Sequence, residues 1–369
     1  MFLAIFGALL VSCAEEEIAN VETSSQNVIG FNVLSNTAET RATPITPSNL
    51  TSVDFDVFAY TSNGTAFMGN ADVAFAHDGV KIKYNGSKWD YDDASERRYW
   101  PNEALDFYAV SPATLVDAGT HFLWNFDHDS QQIYYACMNE YGEGKEKHAD
   151  HDVMYGIAKN QTKDTNNGVV KFTFRHILSQ VAFRAKTEYP TMNVVINSIK
   201  IGNAKMSGTF TLPNDADTAP AASDWTLPTG LGNYSPTIIR DKAIEVNSNT
   251  EATDISIDTP IFTIPQTLTK WAVDQEETKT IAKANDAKQS YLEISCKIKQ
   301  SGVYLCGSES AYETIYVPFE ASWEPSKRYI YTMIFGGGYD ADGNPKLKTI
   351  EFDAETTDWV DDAGNDHEI

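Results

Sequence analysis

Strict alternation of apolar and polar residues is the feature that most limits how this chain can fold. Ile29, Phe31 and Val33 alternate, and so do Val53, Phe55 and Val57. The same pattern recurs at 80–84 (VKIKY), 105–110 (LDFYAV), 132–136 (QIYYA), 169–174 (VVKFTF), 180–185 (QVAFRA) and 193–201 (NVVINSIKI). It continues at 260–265 (PIFTIP), 314–319 (TIYVPF), 329–335 (YIYTMIF) and 348–352 (KTIEF). A period of two puts every second side chain on one face, as a half-buried strand requires. The runs are rich in Val, Ile, Tyr, Phe and Thr, and turn residues such as Asn63-Gly64, Asn85-Gly86 and Asn167-Gly168 separate them. Only 275–288 offers a short helical stretch. The pattern predicts an all-β chain of two sandwiches.

Length agrees, since 369 residues make two domains of ordinary size. The polar stretch Asn160–Gly168 reads as a linker or long turn, so the sequence is divided into a sandwich over 28–167 and another over 168–369. The runs that open each half share a plan: a strand, a longer strand, a polar turn and a short Gly-Thr-containing strand. Residues 214–250, rich in Ala, Asp, Asn and Ser, read as a long surface loop.

The chain begins with an uninterrupted apolar or small run, Phe2–Val11, that is too short to span a bilayer. It fits the centre of a secretory signal over 1–12, although no Lys or Arg precedes it. Leu10-Val11-Ser12-Cys13 resembles the lipobox of bacterial lipoproteins. That resemblance implies cleavage before Cys13, diacylation of its thiol and a tether to the outer membrane. Residues 13–27 then form a lipidated acidic linker, and Glu15, Glu16 and Glu17 resemble the surface-export signal of Bacteroidetes lipoproteins.

Charge narrows the partners. With 28 Lys+Arg against 52 Asp+Glu the formal charge is -24, a surface that repels phosphate backbones and excludes nucleic acid. Three cysteines follow Cys13. Cys296 and Cys306 flank Gln300-Ser301-Gly302, which reads as a hairpin turn placing one cysteine opposite the other on the core face. They form either a cross-strand disulfide or two packed free thiols. Cys137 has no evident partner, and no cysteine spacing suits zinc.

No convergent catalytic set emerges, and no cofactor is implied. His148 and His151, with Asp150 and Asp152, sit in a stretch that reads as a solvated loop. Asp340, Asp342, Asn344 and Glu351 mimic a calcium loop, but Pro345 stands where that loop needs Gly, so a hairpin turn is the better reading. Gly336–Gly338 precedes no helix and is not a phosphate cradle. His176 reads as a hydrogen-bonded core or turn histidine.

Five stretches stand out: Arg98-Tyr99-Trp100-Pro101 with Leu105–Pro112, Asp152–Gly156, Phe174–Lys186, Trp323–Tyr331 and Asp358-Trp359. Together, in this order and spacing, they resemble the fimbrillin family of Bacteroidales. The family often has Gly where Ser326 stands. The resemblance implies two tandem transthyretin-like Greek-key β-sandwiches and a surface lipoprotein of a type V pilus, without enzyme activity. It implies that an arginine-directed protease removes the first strand, here Ile29, Phe31 and Val33 with their neighbours, by cutting between Arg41 and Ala42. Residues 28–41 would be lost, and a strand of another pilus subunit would fill the groove. A host or bacterial surface receptor would be the further partner. Only the acidic residues 361–369 follow the last alternating strand, Ile350–Val360, and they make a poor donor, which favours a tip or accessory subunit over a repeating stalk. The alternative is a surface glycan-binding lipoprotein of a nutrient-uptake system, with Trp89, Trp100, Trp124 and Trp225 stacking on sugars.

Overall fold

A computed structural model describes residues 27–34, 50–69, 79–113, 121–126, 131–136, 152–228, 242–258, 260–336, 338–346 and 351–358. The first half contributes β1 (Gly30–Leu34), β2 (Phe55–Thr61), β3 (Ala66–Met68), β4 (Val80–Tyr84), β5 (Trp89–Tyr91) and β6 (Leu105–Ser111). It continues with β7 (His121–Phe126), β8 (Gln131–Ala136), β9 (Met154–Gln161), β10 (Val169–Thr173) and β11 (Arg175–His176). The second half opens with β12 (Ser179–Thr187), β13 (Met192–Gly202), β14 (Ser207–Thr211), β15 (Trp225–Thr226), β16 (Ile244–Val246) and β17 (Thr253–Asp254). Then come β18 (Ile261–Thr263), β19 (Thr267–Leu268), helix α1 (Ile281–Asp286), β20 (Tyr291–Gln300) and β21 (Val303–Cys306). The chain closes with β22 (Glu313–Pro318), β23 (Ala321–Ser322), β24 (Lys327–Phe335) and β25 (Glu351–Asp358). The architecture is all-β, and α1, capped by the Thr280 hydroxyl on Lys283 N–H, falls within the one stretch that reads as helical.

The first sheet runs β10-β1-β5-β4-β2-β6-β9-β11, with β3 on β2. It curls around a core of Ile29, Phe31, Phe55, Val57, Ala59, Phe107, Val170 and Phe172. In the second half a sheet ordered β17-β12-β24-β25 faces one ordered β16-β13-β20-β21. Val181, Phe183 and Met333 of the former meet Ile196, Ile201 and Ile294 of the latter. Aligned packing of two inner faces is the sandwich solution to burying one side of each sheet.

Two features depart from a chain of independent halves. A four-stranded sheet, β15-β14-β8-β7, takes β7 and β8 from the first half and β14 and β15 from the second. Its Ile133, Tyr135, Phe210 and Trp225 pack against Phe58, Tyr60, Tyr108 and Tyr155 on the outer face of the first sheet. Strand β2 is therefore buried on both faces, although its alternation alone suggests one wet side. The second departure concerns Asn160–Gly168. Asn160, Asn166, Asn167 and Gly168 all have positive φ, so this polar stretch is a tight return from β9 to β10. Strands β10 and β11 lie beyond residue 167 and are hydrogen-bonded into the first sheet, so the division expected there falls inside that sheet.

The β20–β21 hairpin turns on two residues, Ser301 and Gly302, at φ 50° and 85°. Gln300 pairs with Val303 and Lys299 with Tyr304, and then a bulge sets Cys306 opposite Ile298 rather than Cys296. Cys296 instead pairs with Glu313 of β22. Both cysteines are buried free thiols. At 340–344 the Asp340 carboxylate accepts from Asp342 N–H at 3.0 Å and Asn344 N–H at 2.8 Å. That is an Asx-type hairpin turn whose carboxylate is already used by its own loop.

Candidate functional site, the slot held by the first strand

Strand β1 is interior to its sheet. It runs parallel to β10, with Gly30 opposite Val169 and Leu34 opposite Thr173. On its other side it meets β5 at Phe31 and Trp89. Just before β1, Ile29 N–H donates to Arg98 O at 2.9 Å and Trp100 N–H to Asn27 O at 2.8 Å. Among the described strands β1 is the only ladder partner of β10. Without β1, two facing edges would stand open, the form of edge that proteins normally cover.

Alternation sets what fills the slot. Ile29 is fully buried and Phe31 is 5% exposed, while Asn32 faces water and Leu34 is 47% exposed. The Phe31 ring lies 5.6 Å from Tyr91, edge-on, and 6.4 Å from both Phe107 and Phe172. Val28 and Val33 lie against the same core. The Tyr91 hydroxyl donates to Ile29 O at 3.1 Å. Burial pushes the Tyr91 phenol well above its ordinary pKa, so it remains a proton donor to that carbonyl. One wall is fixed by Trp100, whose Nε1–H donates to Gly168 O at 3.0 Å and whose ring stands edge-on to Phe107 at 5.7 Å. Gly168 sits at φ 77°, and a Cβ there would lie 3.0 Å from the Trp100 indole nitrogen.

The site is therefore geometrically specific: an apolar trough with two hydrogen-bonding edges, shaped for an extended peptide with alternate large apolar residues. A family model described as fimbrillin-like matches residues 40–359. The chain belongs to the fimbrillin-like family. This is a structural family and not one of enzymes. Among curated proteins, the chain is similar to the fimbrium subunit Fim1C of Phocaeicola vulgatus, 24% identical over 192 residues, or 47% of each chain. It thus spans about half the length of that relative. A solved fimbrial protein from Bacteroides vulgatus shares the fold, with a TM-score of 0.56 at 14% identity, over 90% of this chain and all of that one.

In this fimbrillin-like chain Phe31 and Val33 share one face of β1, and Ile29, just before the strand, joins the same core. Cys13, Arg41, Ala42, Cys137, His148 and His151 lie outside the described residues. Trp89, Trp100 and Trp225 are 7%, 8% and 7% exposed and belong to the cores, which leaves them unavailable as sugar platforms. Trp124 lies on β7. His176 is a structural residue, its Nδ1 2.8 Å from the buried Asp152 carboxylate. The His176 carbonyl accepts from the Ser326 hydroxyl at 2.7 Å, and Ser326 itself sits at φ 58°, a backbone conformation that favours Gly. Sequence reasoning missed Tyr91 and the β10 partnership. A lone buried tyrosine has no pattern of its own, and parallel pairing across residues 34–169 leaves no local signal.

Proposed function

We propose that this chain is a structural subunit of a cell-surface pilus that joins its neighbours by strand exchange at the β1 slot. The observation that carries this reading is the position of β1 between β10 and β5, with Ile29 and Phe31 filling an apolar trough. The Thr37–Pro47 stretch that follows is polar and Pro-containing, which suits protease access to the Arg41–Ala42 bond. Cleavage alone does not free β1, because the ladder and the Phe31 contacts hold it. An incoming strand displaces it residue by residue, keeping the trough covered throughout. Cys13 tethers the precursor to the outer membrane, and the cut after Arg41 hands the subunit from lipid to pilus.

The last strand supports one position in the fibre. β25 is antiparallel to β24 from Lys327–Asp358 to Ile334–Glu351, so it is committed to its own chain. This supports a tip or accessory adhesive subunit that accepts a strand. A second reading, a repeating stalk subunit, is favoured by one observation. Ile350-Glu351-Phe352-Asp353-Ala354 repeats the spacing of Ile29-Gly30-Phe31-Asn32-Val33, and residues 353–357 of the edge strand β25 are exposed. A Cβ at Gly30 would lie 3.3 Å from Val169 Cγ2, so Glu351 in that register asks only for a small shift of one side chain.

The test treats the full chain with an arginine-specific protease and then adds a peptide of residues 348–360. The expected outcome is a new N-terminus at Ala42, loss of residues 28–34 only when a competing strand is present, and no cut in Arg41→Ala. Pilus preparations carrying an intact N-terminus would sink the proposal. Failure of the 348–360 peptide, with success of a strand from another subunit, would select the tip or accessory reading.

A further inference from the structure

The second sandwich holds a pair of thiols that the slot does not use. Cys296 and Cys306 are fully and almost fully buried, on neighbouring strands of the β20–β21 hairpin. The two thiols lie near enough to perturb each other's ionisation. The bulge after Ile298 and the sharp turn at Gly307, φ 72°, bring the end of β21 back over β20. A Cβ on Gly307 would stand 3.3 Å from Cys296 O. Gly307 N–H donates to the Glu313 carboxylate at 2.9 Å, and Glu313 is ion-paired with Lys346. The hairpin is weak at this place. The bulge interrupts its ladder, β21 has four residues, and it occupies a sheet edge with Val303 exposed.

We infer that Cys296 and Cys306 are a modification site, a dithiol oxidised to an intramolecular disulfide that staples β21 to β20. The oxidant is a disulfide, either a thiol–disulfide oxidoreductase of the export compartment or a low-molecular-weight disulfide. The Cys306 thiolate attacks one sulfur of that reagent, forming a mixed disulfide and expelling a thiolate. Cys296 then loses its proton and attacks the Cys306 sulfur, expelling the second thiolate. The two cysteines lose two electrons and two protons, and the reagent's disulfide becomes two thiols. Order follows from place. Cys306 ends a four-residue strand at the sheet edge, whereas Cys296 lies mid-strand in β20, paired with Ile196 on one side and Glu313 on the other. An external disulfide therefore reaches Cys306 first. The Cys296 thiol and the nearby Lys346 ammonium favour the same order, drawing the Cys306 thiol below its ordinary pKa against the opposing effect of burial. The bond needs sulfurs about 2.05 Å apart. Cys306 stands opposite Ile298, two residues along β20 from Cys296, so closing the gap takes side-chain rotation and a movement of the β21 edge strand. This inference is independent of strand exchange.

The experiment uses the full chain, reduced and then exposed to oxidised glutathione, denatured in N-ethylmaleimide, digested and weighed. Wild type is expected to give one cross-linked peptide pair, Cys296 to Cys306, lighter by two hydrogens. Cys296→Ser should trap glutathione on Cys306, and Cys306→Ser should leave Cys296 largely unmodified, a difference of at least tenfold in labelling. Full alkylation of both cysteines in oxidant-treated wild type overturns the inference. So does cross-linking of either one to Cys137 in place of the other. The wild-type readout stands even where a variant fails to fold.

Discussion

Phe31→Ala tests whether β1 is a structural member of its sheet or a strand laid on the surface. The ring is 5% exposed and touches Tyr91, Phe107 and Phe172. Truncating a buried Phe costs ~3–5 kcal/mol, most of it lost transfer free energy and unrelaxed cavity. At about 1.4 kcal/mol per factor of ten, even the lower bound raises the population of molecules with β1 detached by roughly two orders of magnitude. Amide hydrogen exchange on the uncleaved chain reads that population. Because β10 pairs only with β1 among the described strands, protection should fall in 169–173 as well as in 30–34, by about a hundredfold or more. Asn32→Ala provides the control. Asn32 is exposed on the same strand, and its change should stay within about 0.5 kcal/mol. If Phe31→Ala leaves 169–173 within threefold of wild type, the picture of β1 as the keystone between β10 and β5 is wrong.

The remaining expectations concern the walls and cores. Gly168→Ala should lower stability by about 1–2 kcal/mol, read as a shift in urea midpoint, because φ 77° disfavours a Cβ and the Trp100 indole nitrogen would lie 3.0 Å from it. Alkali should unfold the chain in a defined window. Burial pushes the Tyr331 phenol up to about 12, despite the hydrogen bond from Trp323 Nε1–H, and burial with the Asp106 charge does the same to Tyr108. In the unfolded chain both titrate near 10, so the unfolded state releases its protons first. Their contribution to stability is complete below pH 10 and is lost as pH rises toward about 12. Melting temperature against pH and tyrosinate absorbance check this, and free ionisation of every tyrosine near pH 10 in a still-folded chain would contradict it.

Local rules explain what could be read without coordinates. Period-two alternation survives in any sheet with one buried face, so β4, β6, β12, β13 and β24 fall where Val80–Tyr84 and its counterparts alternate. Asn and Gly at positive φ announce turns, and helix α1 lies in a short non-alternating run behind a hydroxyl cap. Strand β9 escaped because Gly156 and the polar Lys159-Asn160-Gln161 end blur its alternation, although Met154–Ile157 are buried on both faces. The cysteine register was off by two steps: the turn has two residues, Ser301 and Gly302, in place of three centred on Ser301, and a bulged residue beyond Lys299 adds a second shift that spacing does not reveal. Trp89 and Trp100 have the same local appearance whether they line a core or a sugar site, and only burial separates the two.

By itself, then, the sequence determined the class of structure and the amphipathic strand Ile29–Val33, because those depend on interactions within a few residues of each other. Tertiary structure decided where that strand goes. Pairing β1 with β10 brings together residues about 139 positions apart. Welding β8 to β14 joins the two halves through a sheet neither encodes alone. Such pairings depend on loop closure and on which apolar faces remain uncovered after the rest has packed, and no short window of sequence carries that information.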